Sequence, residues 1–348
     1  ATGKEQDFMA VFRAFKALRP TEEKATAVAA LPYDVVNREE AAAIGKENPD
    51  SFLHVDRAEM DLPAETDLYD AKVYQKAKEN LHKMEETGVL VQDNKPCYYI
   101  YELVRKGKVQ TGIAGCASID DYLNNVVKKH ELTRSDKELD RINHVDVCDA
   151  NTGPIYLACR YTDALSALLE QWKKEHKATY DFTEEDEITH RVWVIDGDEA
   201  ISQIQGEMEK IPALYIADGH HRAASAVKVG LKRRQENPDY TGEEAFNYFL
   251  SVVFSYDQLT ILAYNRVVRD LNGQSVEDVL EKIKENFDMT IVPGFPAKPV
   301  EKHCFGMYLD GFWYLLKAKP ELYEGKDVVG QLDAQILQDV VLGPVLGI

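Results

Sequence analysis

Asp218-Gly219-His220-His221-Arg222 places four polar side chains and a glycine between two apolar patterns. Before it runs the apolar stretch Ile211 to Ala217, which reads as a buried strand. After it, Ala223, Ala226, Val227, Gly230 and Leu231 recur at helical spacing. A strand that turns sharply into a helix leaves the first helical N–H groups unpaired. Those groups, with the positive end of the helix dipole, favour an anion. Gly219 permits the tight turn, and Arg222 offers a planar fork for phosphate oxygens. His220 and His221 add donors or acceptors near neutral pH, and Asp218 could cap the helix or face a hydroxyl group or metal ion. The simpler alternative is structural: Asp218 caps, one histidine is buried and satisfied, and Arg222 pairs with a carboxylate. The density of polar groups at one turn favours a ligand, here a phosphorylated one.

A second polar stretch runs from Lys128 to His144. Its His130-Glu131 resembles the start of a zinc-protease helix, but that motif needs a histidine at position 134, where this chain has Arg134. No metal ligand is assigned from spacing. As a helix the segment reads either as a solvated, salt-bridged face, with Arg134 and Glu138 four apart, or as a functional one. In the functional reading Glu131 is a catalytic base, and Lys128, Lys129, Arg134 and Arg141 face a polyanion. A third candidate is Pro32-Tyr33-Asp34, a loop that either contacts substrate or makes local turn bonds. The fingerprints of P-loop, dinucleotide-binding and nucleophile-elbow folds are missing.

The elements that must position these residues alternate without a repeated strand-helix-strand rhythm. Strands are expected at Cys97–Val104 and Val109–Ala117, joined by a hairpin over Arg105-Lys106-Gly107-Lys108. Further strands are expected at Ser51–Val55, Pro154–Cys159 and Val192–Ile195. Hairpins are expected to join Tyr248–Phe254 to Leu259–Tyr264, and Phe305–Leu309 to Phe312–Leu316 through Asp310-Gly311. Helices are expected from Asn37 to about Gly45, over Asp67–Met84 and Ala164–Lys174, from Arg222, and over Ser275–Asn286. The fold class is therefore α+β, with mixed sheets, several hairpins and flanking helices. Residues 1–290 form the expected main body. Residues 291–348 form a C-terminal hairpin and an apolar helix with Leu332, Ile336, Leu337, Val340 and Val341 on one stripe.

The chain has 348 residues, 45% of them hydrophobic and 29% charged, with a net charge of −19. That charge disfavours nucleic acid and anionic membranes as partners, while leaving room for a small phosphorylated ligand in a local basic pocket. Five cysteines without CxxC spacing suit free thiols in a reducing compartment. With a polar start and no apolar run of membrane-spanning length, a cytoplasmic protein is expected. The apolar C-terminal end suits contact with the body or with a second copy, as in a homodimer.

Six motifs in order give a resemblance. They are Leu31-Pro32-Tyr33-Asp34-Val35-Val36, Asn48-Pro49-Asp50-Ser51-Phe52-Leu53-His54-Val55, Lys129-His130-Glu131-Leu132-Thr133, Lys137-Glu138-Leu139-Asp140-Arg141, Tyr215 to Arg222, and Asn265-Arg266-Val267-Val268. Together they resemble the bacterial and archaeal domain of unknown function 1015 family over nearly the whole chain. Members of that family usually continue past the last residue here, which implies a C-terminally truncated version. The Asp-Gly-His-His-Arg turn is also similar, more distantly, to the phosphate-binding turn of the ParB/sulfiredoxin-like superfamily, which includes kinases of free serine. That resemblance implies His220, His221 and Arg222, with Gly219, as the nucleotide-phosphate cradle and Asp218 near the reacting hydroxyl. Sulfiredoxins need a cysteine in this turn, and none stands there.

The function expected is a nucleotide-dependent phosphotransferase acting on a small hydroxylated metabolite such as an amino acid. ATP or ADP with Mg²⁺ is the expected cofactor, Glu131 and Asp218 the catalytic residues, and Tyr33, Asp34, His130, Arg134 and Arg141 the substrate-binding set. The alternative is a nucleotide-binding regulatory protein whose readout is conformational.

Overall fold

A computed structural model describes residues 9–131, 135–184 and 186–348. Arg134 lies outside the described residues. The chain divides into two compact units at Thr260/Ile261.

The first unit is built on a mixed sheet of nine strands. In chain order these are β1 (Phe12–Arg13), β2 (Tyr98–Arg105), β3 (Lys108–Ser118), β4 (Val127–Lys128), β5 (Ile155–Cys159), β6 (Tyr180–Thr183), β7 (Thr189–Ile195), β8 (Leu214–Asp218) and β9 (Tyr248–Ser255). Their spatial order is β4-β8-β5-β9-β3-β2-β7-β6, with β1 also on β3. The β4–β8 and β5–β9 pairs are parallel, and the other pairs are antiparallel. The β2–β3 hairpin forms as its turn chemistry predicts: Lys106 and Gly107 both take positive φ, 49° and 77°.

The same unit carries helices, of which some pack on the sheet and others on one another. They include α1 (Arg38–Glu47), α2 (Ala71–Glu86), α3 (Ser135–Cys148), α4 (Asp163–Glu175), α5 (Asp198–Met208) and α6 (His220–Glu236). Asn37 opens α1 with a capping box: its side chain accepts the Glu40 amide, and the Glu40 carboxylate accepts the Asn37 amide. The main core joins Ile155, Leu157, Leu214, Ile216 and Phe249 of the sheet to Ala223, Ala226 and Val227 of α6. On β8, Leu214 and Ile216 point into this core while Tyr215 and Ala217 face out, the period-two pattern of a half-buried strand.

Two expected strands are replaced. Ser51–Val55 gives a short helix, Leu53–Asp56, whose Leu53 and Val55 are buried in clusters beside α1 and α2. Residues 259–264 form no strand, because β9 has both its edges taken by β3 and β5. A pattern of alternating apolar residues needs a free neighbouring edge as well as the pattern itself.

In the second unit, α7 (Val276–Asn286) packs on β10 (Phe287–Val292), β11 (Cys304–Leu309) and β12 (Phe312–Ala318), which form one antiparallel sheet in the order β10-β12-β11. Val279 and Ile283 share a core with Tyr314, Leu316 and Ile336. The helix therefore belongs with the C-terminal hairpin, and the division falls about thirty residues ahead of the expected 290/291. The Asp310-Gly311 turn forms the β11–β12 hairpin, with positive φ at both residues. All five cysteines are free thiols, and no described helix is long and apolar enough to cross a membrane.

Asp121 is buried in the first unit and accepts the Val11 N–H at 2.7 Å. Burial pushes its carboxyl from 3.8 up to about 6, the Val11 amide opposing and Asp120 adding to the rise. Because the folded pKa lies above the unfolded one, the native state keeps the proton longer. The contribution of this group is then full below pH 4 and is lost as pH rises through 6, by about 1–3 kcal/mol. Urea unfolding of wild type and Asp121→Asn from pH 4 to 7 should show this slope and its flattening in the variant. An unchanged slope would contradict the assignment.

Candidate functional site

The register of β8 against β5 slips between Ile216 and Asp218. Asp218, paired with Tyr156, is the last residue of the ladder after this irregularity, and β8 then runs directly into α6. Gly219 makes the junction in the left-handed region, with φ 93° and ψ 33°. No side chain caps α6, so the amide donors of its first turn are left for solvent or an anion. A Cβ on Gly219 would sit 2.9 Å from Arg222 Nη2, so the guanidinium lies flat against the glycine backbone.

The five residues of the turn then diverge. The Arg222 guanidinium donates to the Asp218 carboxylate at 2.7 Å, and the Asp218 side chain is 71% exposed. Arg222 Nε is buried without a hydrogen-bond partner, as is His221 Nδ1. His220 points away from both into the protein and is 6% exposed. Its Nδ1 lies 3.5 Å from Glu131 Oε2, and its Nε2 lies 3.5 Å from the His130 amide. The His130 and His220 rings meet edge to face, 4.4 Å between centroids. Burial holds the His220 pKa below its ordinary value, helped by His130 and opposed by the Glu131 and Asp218 charges, so the neutral ring prevails at pH 7.

Helix α3 forms a shelf beside the turn. Of the two readings open for this segment, the solvated face does not form at Glu138, Arg141 and His144, which are buried. Ser225 of α6 sits at the crossing, its single hydroxyl proton facing the carbonyls of His221 at 2.7 Å and Glu138 at 3.1 Å. Lys228 pairs with Glu138. Arg141 is gripped by its neighbour Asp140, through Nε at 2.9 Å and Nη2 at 2.8 Å. Tyr74 of α2 donates to the other Asp140 oxygen at 2.9 Å. The guanidinium of Arg141 stacks on the Tyr33 ring, 4.1 Å from its centre.

Tyr33 links the shelf to the turn. Burial raises its pKa, Arg141 and Arg222 oppose the rise, and Asp34 and Asp140 add to it, so the phenol lies within the fields of both arginines. Asp34 is exposed beside it. The structure therefore brings Tyr33, Asp34, Arg141, Asp218, Gly219 and Arg222 to one neighbourhood. Glu131 and His130 gather around His220 in a second. Sequence reasoning missed Asp140 and Tyr74, which hold Arg141, and Gly153, over which the Arg222 chain lies. The buried polar face of α3 had a signal: Glu138, Arg141 and Cys148 recur at helical spacing with His144, all turned inward.

The family model described as "Protein of unknown function (DUF1015)" matches residues 12–335. The chain belongs to the DUF1015 family. Comparison with curated proteins and with solved structures gives no significant match. The match spans both units of this DUF1015 chain, including the turn and the shelf.

Gly219→Ala places a side chain at positive φ, which costs about 1–2 kcal/mol, and pushes on the Arg222 guanidinium. Chemical denaturation should report that loss. Wild-type stability in the variant would contradict the left-handed junction.

Proposed function

We propose that this DUF1015 protein is a nucleotide-dependent phosphotransferase that transfers a phosphoryl group from ATP or ADP to the hydroxyl group of a small metabolite such as an amino acid. The observation that carries the reading is the uncapped start of α6, where Arg222 Nε and His221 Nδ1 are buried without partners. Buried polar atoms are almost always satisfied, so two orphans at a helix N-terminus fit an anionic guest. The similarity of Asp-Gly-His-His-Arg to the phosphate turn of free serine kinases agrees with it.

In this reading the phosphates rest on the first-turn amides, His221 and Arg222. The Asp218–Arg222 pair must loosen so that the guanidinium can share its donors with phosphate oxygens. Releasing Asp218 leaves a carboxylate at the mouth of the turn, where it can accept the proton of an attacking alcohol. Glu131, 63% exposed on its side chain, is the other candidate base. Mg²⁺ prefers oxygen ligands, which suits Asp218 and the phosphates rather than the imidazoles; when bound it neutralises charge on the transferring group. Tyr33 and Arg141 offer a ring and a cation for a substrate carboxylate or phosphate.

Calorimetry with ATP and with ADP, each with Mg²⁺, should show binding to wild type and a weakening of roughly 10- to 100-fold in Arg222→Ala, the loss of a charged hydrogen bond. Incubation with hydroxylated amino acids, followed by mass spectrometry, should reveal a phosphorylated product. Nucleotide binding without product from any alcohol would transfer the case to the regulatory reading. Absence of both would overturn the proposal.

A further inference from the structure

Two histidines and a carboxylate converge on the β4 side of the turn, apart from the phosphate donors. His130 and Glu131 follow β4, and His220 opens α6, ninety residues further along the chain. The parallel pairing of Leu214 with Val127 and Tyr215 with Lys128 aligns the two strands, so both lead into the same corner. One nitrogen or oxygen from each of the three side chains lies within 4.8 Å of the others.

The His220–Glu131 separation is long for a hydrogen bond and close to that of two ligands on one ion. His220 Nδ1 and Glu131 Oε2 stand 3.5 Å apart, at the outer limit for a hydrogen bond. Ligand atoms at about 2.0–2.1 Å from one ion in a tetrahedral site lie about 3.3 Å from each other. His220 is fixed by burial, whereas His130 and Glu131 are exposed and already lie against it. One anchored ligand and two adjustable ones give a site that can close on an ion.

We propose that His130, Glu131 and His220 form a binding site for one divalent transition-metal ion, with Zn²⁺ the best fit. Two imidazoles and one carboxylate are a borderline donor set, which suits Zn²⁺ or Co²⁺ and disfavours Mg²⁺ and Ca²⁺. Three protein ligands leave the fourth tetrahedral position open to water or to a substrate oxygen, the pattern of a reactive rather than a purely structural centre. The site does not depend on the phosphotransferase reading. When the ion is bound, Glu131 is a ligand, and the role of free base falls to Asp218 alone.

The test uses the chelator-stripped full chain and the metals themselves. In equilibrium dialysis the wild type should retain one Zn²⁺ per chain at micromolar free metal. Co²⁺ should give the intense visible absorption of a four- or five-coordinate site. His130→Ala and Glu131→Ala alter exposed residues, so they should remain folded by circular dichroism and lose roughly tenfold or more in Zn²⁺ affinity. Arg222→Ala should retain the metal at wild-type affinity whatever it does to nucleotide binding, which separates this site from the phosphate cradle. Substoichiometric uptake by the wild type would overturn the proposal. So would unchanged affinity in both His130→Ala and Glu131→Ala.

Discussion

The junction at Gly219 is the constraint on which the rest of the site depends. A half-buried strand becomes a buried helix with one residue between them, and that residue, Gly219, takes the left-handed conformation. The core fixes both sides of the bend: Leu214 and Ile216 before it, Ala223, Ala226 and Val227 after it. With neither flank free to move, the side chains at 218, 220, 221 and 222 leave in directions set by the backbone. His220 is sent inward towards Glu131, and Arg222 is folded back across the glycine to Asp218. One bend thus divides adjacent residues between two chemical neighbourhoods.

The Asp218–Arg222 pair sets the electrostatic balance of the turn. It satisfies one donor of the guanidinium but leaves Nε buried and unpartnered. The Asp218 side chain is largely exposed, so the pair is screened by water and contributes little to stability. A weak pair of this kind holds a cation in place without locking it. It also keeps a positive group inside a chain whose net charge is −19. In the function proposed above, an incoming anion would compete with a single solvated carboxylate rather than with a buried ion pair, whose disruption would cost far more.

Local rules made much of this legible in the sequence. The capping box at Asn37, the Lys106-Gly107 and Asp310-Gly311 turns, and the strand-to-helix break at Gly219 each depend on residues within a few positions of one another. Such signals survive without tertiary information. What failed depended on partners far along the chain. Residues 259–264 have the look of a strand, yet both edges of β9 were already filled. Leu53 and Val55 alternate as in a strand, yet they pack as a helix against distant cores. At the site, the turn was visible because it is contiguous. The convergence of His130 and Glu131 on His220 was hidden because β4 and β8 become neighbours only when the sheet assembles.

The polar face of α3 shows why charge patterning misled. Arg141 has the composition of a solvated residue, and a sequence cannot show that Asp140, Tyr74 and the Tyr33 ring surround it. Burying a guanidinium is costly unless its donors are met and its charge is balanced. Asp140 supplies both: it grips two nitrogens of Arg141 and is itself held by the Tyr74 hydroxyl. Asp140 and Asp56 keep Arg141 charged despite its burial. A helix built only for stability would be better served by apolar residues at positions 138, 141 and 144. The three ionisable groups there have separate partners: Glu138 meets Lys228 and Ser225 of α6, Arg141 stacks on Tyr33, and His144 donates to the Val55 carbonyl, so the fold keeps a polar face inside by satisfying each group in turn.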